Sequence, residues 1–426
     1  MDRPCALLYF SYMNIKHQHV TGLSGNEIFC LNLIDYRPGQ LCVGNSVMAL
    51  GVVGGLGAGF ATLGGGEVTE ITNLVHDART HALARLTQEA RQYAGQGVTG
   101  VSFELINHGG NLEFITLGST VRSTALPPDL QFTTSSNAQQ LYCQIDAGFT
   151  PVQFVFGNVA YSIGVGGNIM GRLRSYARGE VADYTEIFDR TRHLALERIT
   201  AEGKKHGAHA ILGIETTIAP LLGTQEMLMV GTASRHPLLQ AHADSPVTSD
   251  MTPEETWNMV HLGYMPLRLV MGVSVYSLGL VGRVGTAWGS LRGGKLEGLT
   301  ELLYEAREKA LARIERDADA CGADEVVGVK IRVYDLGSGL IEFMAIGTAV
   351  KKVAGASTKT AALPAQAIIS DRETFVDTAA GSAIDLGSRA SATRTQRGPF
   401  AVIFSTLLIA GYLLMQWLLW KARHPQ

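Results

Sequence analysis

Apolar and polar positions follow two periods along this chain, and the same succession of periods occurs three times. In the clearest copy, Leu299, Leu302, Leu303, Ala306, Ala310 and Ile314 fall at helical spacing, with Glu301, Glu305, Glu308 and Lys309 on the other side. That is an amphipathic helix with one stripe to bury. Ile71, Leu74, Val75, Ala78, Ala82 and Leu86 repeat the stripe, as do Tyr184, Ile187, Phe188, Thr191, Ala195 and Ile199. An apolar run that reads as a strand, then a Gly-rich stretch, precedes each helix. Gly207 and Gly322 stand at the expected helix stops, and Gly95 comes one residue late in the first copy. Two strands follow, Val326–Tyr334 and Ile341–Val350 in the third copy, joined by the turn-rich Asp335–Gly339. The order is β-α-β-β, one helix over one face of a small antiparallel sheet.

The register of the copies is nearly constant. Gly66, Gly179 and Gly294 are spaced by 113 and then 115, as are Pro38, Pro151 and Pro266, and Arg85, Arg198 and Arg313. A one-residue change enters only by Gly118, Gly231 and Gly347. Each copy opens with a capped short helix: Ser24…Glu27, Asn137…Gln140, and Thr252-Pro253-Glu254-Glu255 with Pro at the first helical position. The expected organisation is a tail at 1–22, modules at 23–122, 136–235 and 250–353, a flexible linker at 354–398 and an apolar helix at 399–420. A two-layer module this small leaves one sheet face uncovered, so the modules should pack together and the chain should oligomerise.

The run Gly272–Gly279 (G-V-S-V-Y-S-L-G), Glu305–Ile314 (E-A-R-E-K-A-L-A-R-I), Gly322–Val329 and the closing Gly347–Val350 resembles the YbjQ-like family, often labelled heavy-metal-binding. The likeness covers about three quarters of the chain and is best in the third copy. It implies an α+β fold of dodecin-like β-α-β-β subunits assembled into rings, commonly pentamers, with no established catalytic residues. Five chains would then stack three rings.

From Phe400 to Leu419 the chain runs twenty residues without a charge, with Trp417 and Trp420 near one end and Lys421 and Arg423 beyond. Twenty residues span a bilayer core of about 30 Å. The expectation is a single-pass C-terminal anchor in the cell membrane. No basic region followed by an apolar run opens the chain, and Arg389, Arg394 and Arg397 precede the span, so the modules are expected on the cytoplasmic side. Val47–Gly66 is also uncharged, but its counterparts contain Arg172 and Arg174, or Arg283 and Arg292, so it reads as a loop. Hydrophobic residues make up 46% and charged residues 17%, which suits globular modules plus one membrane segment. A net charge of −3 supplies no basic field, and no nucleic-acid partner is expected. The five cysteines contain no C-x-x-C and read as reduced thiols.

Candidate chemistry is thin. Gly55-x-Gly57-x-Gly59 has the wrong spacing for a dinucleotide fingerprint, and the other copies do not repeat it. His108-Gly109-Gly110 reads as a hairpin turn, lacking a G-x-S-x-G partner. His206-x-x-His209 could chelate a metal, but the equivalent positions are Tyr93 and Gln96, or Cys321 and Asp324. His17-x-His19 lies in the tail, and Cys30 and Cys143 align with Asn258. No catalytic, cofactor or metal residues are assigned. One charged constellation recurs in all copies: Arg85/Glu89, Arg198/Glu202 and Arg313/Asp317, each i,i+4 on the main helix. Its acid falls near the centre of the apolar stripe, so these six residues are expected to form structural ion pairs where modules meet. The resulting expectation is a non-enzymatic, membrane-anchored homo-oligomeric scaffold; the alternative is a small-ligand or metal-binding sensor at the membrane.

Overall fold

Three capping boxes set the start of the three modules. Ser24, Asn137 and Thr252 each accept the amide of the residue three on, and Glu27, Gln140 and Glu255 reach back to the cap amide. The structure is a computed structural model that describes residues 20–49, 66–108, 111–162, 179–277, 297–337 and 340–368. Module 1 comprises α1 (Gly25–Leu33), β1 (Arg37–Ala49), β2 (Gly66–Glu67), α2 (Thr69–Gln92), β3 (Gly97–Asn107) and β4 (Asn111–Arg122), followed by β5 (Phe132–Thr133). Module 2 comprises α3 (Ala138–Asp146), β6 (Thr150–Ser162), β7 (Gly179–Glu180), α4 (Ala182–Lys205), β8 (Ala210–Leu221) and β9 (Thr224–Arg235). A 3₁₀ turn (Pro237–His242) and β10 (Val247–Thr248) lead to module 3: α5 (Pro253–His261), β11 (Tyr264–Ser277), α6 (Glu297–Cys321), β12 (Glu325–Gly337) and β13 (Leu340–Lys352). A short α7 (Ala365–Ile368) follows.

In each module the last strand sits between the other two, giving β1-β4-β3, β6-β9-β8 and β11-β13-β12, all antiparallel. The long helix lies across the first strand at a glycine. A methyl group on Gly44 would meet the Ala82 carbonyl at 2.1 Å, on Gly157 the Ala195 carbonyl at 2.4 Å, and on Gly272 the Ala310 carbonyl at 2.0 Å. Only a residue without Cβ lets helix and strand backbones approach that closely. At the helix ends, Gly207 and Gly322 take left-handed φ of 66° and 68°. The first copy places Ala94, not Gly95, in this position, at φ 51°.

The sheets are not closed within a module. β2, just before the helix of module 1, pairs antiparallel with β6 of module 2, and β7 of module 2 pairs in the same way with β11 of module 3. The linkers add β5 parallel to β3 and β10 parallel to β8. One face of β6 and β11 carries the core of its own module, and the other packs on the preceding module. Phe154 and Phe156 join Leu86 and Val98, while Leu269, Met271, Val273 and Val275 join Phe188 and Ile214. The uncovered face expected for each sheet is thus hidden against another copy in the same chain, in modules 2 and 3. Successive modules of one chain therefore contact one another directly.

The region read as a flexible linker departs from expectation at its start. Residues 354–368 run back across the opening helices. Thr360 Oγ1 donates to Asp146 Oδ2 at 2.9 Å, where Trp257 Nε1 also donates at 2.6 Å, and Ala367 is buried in the same cluster as Cys30, Tyr142 and Cys143. The buried Asp146 carboxylate gives that segment a fixed acceptor, which composition does not reveal. The rest of the linker, residues 1–19, the glycines at 55–59 and the span Phe400–Leu419 lie outside the described residues. Among the described residues, no helix is long and apolar enough to cross a membrane.

Candidate functional site

The most concentrated polar chemistry lies on the seams between modules, and the same parts build both seams. The helix α2 has no side-chain cap at Val68; instead the Val68 amide donates to the Ala160 carbonyl of the next module, at 2.8 Å. Thr72 Oγ1 then accepts the Ala160 amide at 2.9 Å. One repeat on, the Val181 amide donates to the Val275 carbonyl at 2.8 Å, and Thr185 Oγ1 accepts the Val275 amide at 2.9 Å. The first two long helices are therefore started by the following module, which accepts a cap amide that a free helix end would leave orphaned.

Two turns further, an arginine crosses each seam. Arg79 Nη1 and Nη2 donate to the two carboxylate oxygens of Glu226 at 2.5 and 2.7 Å. Asn158 Nδ2 supports that carboxylate at 3.2 Å and also donates to the Thr72 carbonyl. The guanidinium lies over the Phe103 and Phe114 rings. On the second seam Arg192 donates to Glu342 from Nη2 at 2.7 Å and from Nε at 3.1 Å, and both side chains are 0% exposed. Its Nη2 also donates to Tyr161 Oη at 2.8 Å, and Tyr161 and Phe188 present their ring faces to it. Burial opposes the charge on Arg192, yet Glu342 and Tyr161 outweigh it and raise its pKa above the usual value. Burial pushes the Tyr161 phenol up to about 12. A bidentate, fully enclosed pair of this kind fixes orientation, because each charge is costly without the other.

These residues were legible in the repeat register and were missed. Arg79, Arg192 and Arg307 occupy one position in the three copies, and Glu113, Glu226 and Glu342 occupy another. An arginine flanking the apolar stripe, matched by a strand glutamate in every copy, is the signal that singles them out.

Of the six residues chosen from sequence, Arg198, Arg313 and Asp317 meet another module, and none takes the expected i,i+4 partner. Arg198 pairs with Glu67 at 2.7 Å and Arg313 with Glu180 at 2.8 Å, so the acid comes from the preceding module rather than from four residues along the same helix. Arg85 donates to the Asn45 carbonyl, as Arg198 does to that of Asn158. Glu89 accepts the Val43 amide at 2.6 Å and Tyr93 Oη at 3.1 Å; Glu202 takes Lys205 and His206. Asp317 lies 3.7 Å from His193 Nε2 of the preceding module. The physical reason is the glycine crossing: it brings Arg198 and Arg313 against the first strand, where a carboxylate from β2 or β7 reaches them.

The two histidines considered as chelators turn apart. His206 Nε2 lies 3.4 Å from Glu202, while His209 Nδ1 lies 3.0 Å from the His236 carbonyl. Among the described residues no group of three or more His, Cys, Asp or Glu side chains is placed to hold a metal ion. Cys30, Cys42 and Cys143 are buried, and burial raises the pKa of the Cys42 thiol to about 12 and that of Cys143 above its usual value.

Fold and seams together define a tandem array of two-layer α+β modules joined head to tail through buried charge pairs. The chain belongs to the YbjQ_1 family, described as "Putative heavy-metal-binding", whose model matches residues 36–124, 149–236 and 264–353. The chain is 31% identical over 229 residues to the encapsulin nanocompartment protein Rv1762c of Mycobacterium tuberculosis, covering 50% of this chain and 84% of that one. It is 40% identical over 83 residues to a UPF0145 protein of Psychromonas ingrahamii (19% of this chain, 79% of that one). A UPF0145 protein of Thermotoga maritima is 41% identical over 85 residues, covering 20% and 80%. The UPF0145 matches are about one module long.

Proposed function

We propose that this protein is a non-enzymatic homo-oligomeric scaffold, held at the membrane by its C-terminal apolar segment. The observation that carries the reading is the reuse of one seam. Arg79–Glu226 and Arg192–Glu342 join successive modules in the same way, so the module is built to bind another copy of itself. The name of the Mycobacterium tuberculosis relative, a nanocompartment protein, agrees with self-assembly. Anchoring rests on the twenty uncharged residues Phe400–Leu419, with the modules on the cytoplasmic side.

Three measurements test it. The full chain, extracted in detergent and weighed by light scattering, should give a particle of several chains; the mass of one chain would end the scaffold reading. Alkaline washing of membranes should leave the full chain in the pellet and release a chain lacking residues 399–426. Release of both would remove the anchor. Calorimetric titration of the full chain with Zn²⁺ and Cu²⁺ should show no saturable site per module, and one ion per copy would favour a metal sensor instead.

A further inference from the structure

The two internal seams are heterologous: the helix side of one module meets the strand side of the next. Among the described residues, three modules in tandem therefore leave one strand side vacant on module 1 and one helix side vacant on module 3. Both vacant sides carry the parts that the internal seams use. On the strand side, Val47 is 57% exposed, whereas Ala160 and Val275 at the same repeat position are 0% exposed. Val43 is likewise exposed where Phe156 and Met271 are buried. On the helix side, Val329 is 41% exposed where Val101 and Ile214 are buried, and Ile331 and Val333 beside it are exposed too. Among the described residues the outer edge of β12 also has no partner strand, whereas β5 and β10 pair the corresponding edges of β3 and β8.

The charges are set in the same way. Asn45 Nδ2 donates to Glu113 Oε1 at 2.9 Å, reproducing the support that Asn158 gives Glu226. In place of an arginine, Glu113 has His108 at 2.7 Å, and the two contacts, Asn45 first, hold its pKa below the usual carboxylate value. At the other end Arg307 lies over Tyr304 and touches Glu308 at 3.3 Å, while its buried Nε has no hydrogen-bond partner.

We propose that the helix side of module 3 docks on the strand side of module 1 of a second copy of this chain, with Arg307 of one copy paired to Glu113 of the next. The occupant is a second copy because each vacant side continues an interface the chain already makes twice, with matching charge. This rests on the self-assembly reading and specifies its geometry. A heterologous seam closes into a ring or runs on as a filament. A ring closed by whole chains holds modules in multiples of three, which excludes five positions; two chains give six.

The test uses the full chain in detergent and two single variants, Arg307→Glu and Glu113→Arg, each checked for unchanged circular dichroism. Light scattering should show several chains for the unaltered protein and one chain for each variant alone. Mixing the variants in equal amounts should restore the larger particle, because one swapped and one native seam are then both complementary. A multichain particle unaffected by either variant, or variants that stay single after mixing, would overturn the seam while leaving self-assembly standing. A single-chain mass for the unaltered protein would overturn both.

Discussion

Replacing Glu342 by glutamine tests whether the second seam depends on charge. Glu342 and Arg192 are each 0% exposed, and three of the guanidinium's contacts go to that carboxylate, at 2.7, 3.0 and 3.1 Å. Glutamine keeps the shape but leaves the buried cation without a counter-charge and presents an NH₂ group where acceptors stood. Removing one member of such a pair costs about 3–5 kcal/mol. By contrast, an exposed pair such as Lys205–Glu202, whose lysine is 70% exposed, is worth about 0–1 kcal/mol. Guanidinium denaturation followed by circular dichroism should therefore show a large loss for Glu342→Gln and a small one for Glu202→Gln. The double replacement Arg192→Met with Glu342→Leu should recover most of the loss, because no charge is then buried alone. A loss below about 1 kcal/mol for Glu342→Gln would refute the reasoning, since it would mean the pair is hydrated.

Gly272→Ala should destabilise module 3 by about 1–3 kcal/mol, because its methyl group would sit 2.0 Å from the Ala310 carbonyl; chemical denaturation measures it. Ala94→Gly should stabilise module 1 by about 1 kcal/mol in the same assay, since Ala94 holds a left-handed φ of 51° where the other copies have glycine. Acid should loosen the end of module 2 through His236, whose ring lies tilted against that of Phe149 with a centroid distance of 4.6 Å. Burial, with a smaller contribution from His209, lowers its pKa, so the stability it lends is present above the ordinary histidine value of about 6.5 and is lost as pH falls through the folded-state value. His236→Gln should flatten stability against pH in that window; an unchanged slope would assign the effect to another group.

Much of each module was written in its sequence. The capping residues Ser24, Asn137 and Thr252 fixed the helix starts, because a side-chain cap needs only neighbours three residues away. The stripes on the long helices and the strand pairs after them followed from periodicity, which is also local. The seam residues were present in the register but read differently. Arg85, Arg198 and Arg313 drew attention through a possible i,i+4 partner, while Arg79 and Arg192, whose partners lie 147 and 150 residues away, did not.

The sequence by itself determined the threefold repeat, the two-layer unit and the need for each open sheet face to find a cover. It could not say which copy supplies the cover, because any copy offers the same pattern. Tertiary structure decided that: β2 and β7 reach into the following module, so the chain covers two of its own sheets. It also decided the ion pairs, since a buried carboxylate is matched by whichever guanidinium the fold carries to it. Sequence distance has no influence on that choice; the crossing glycines Gly157 and Gly272 bring Arg198 and Arg313 against the strand.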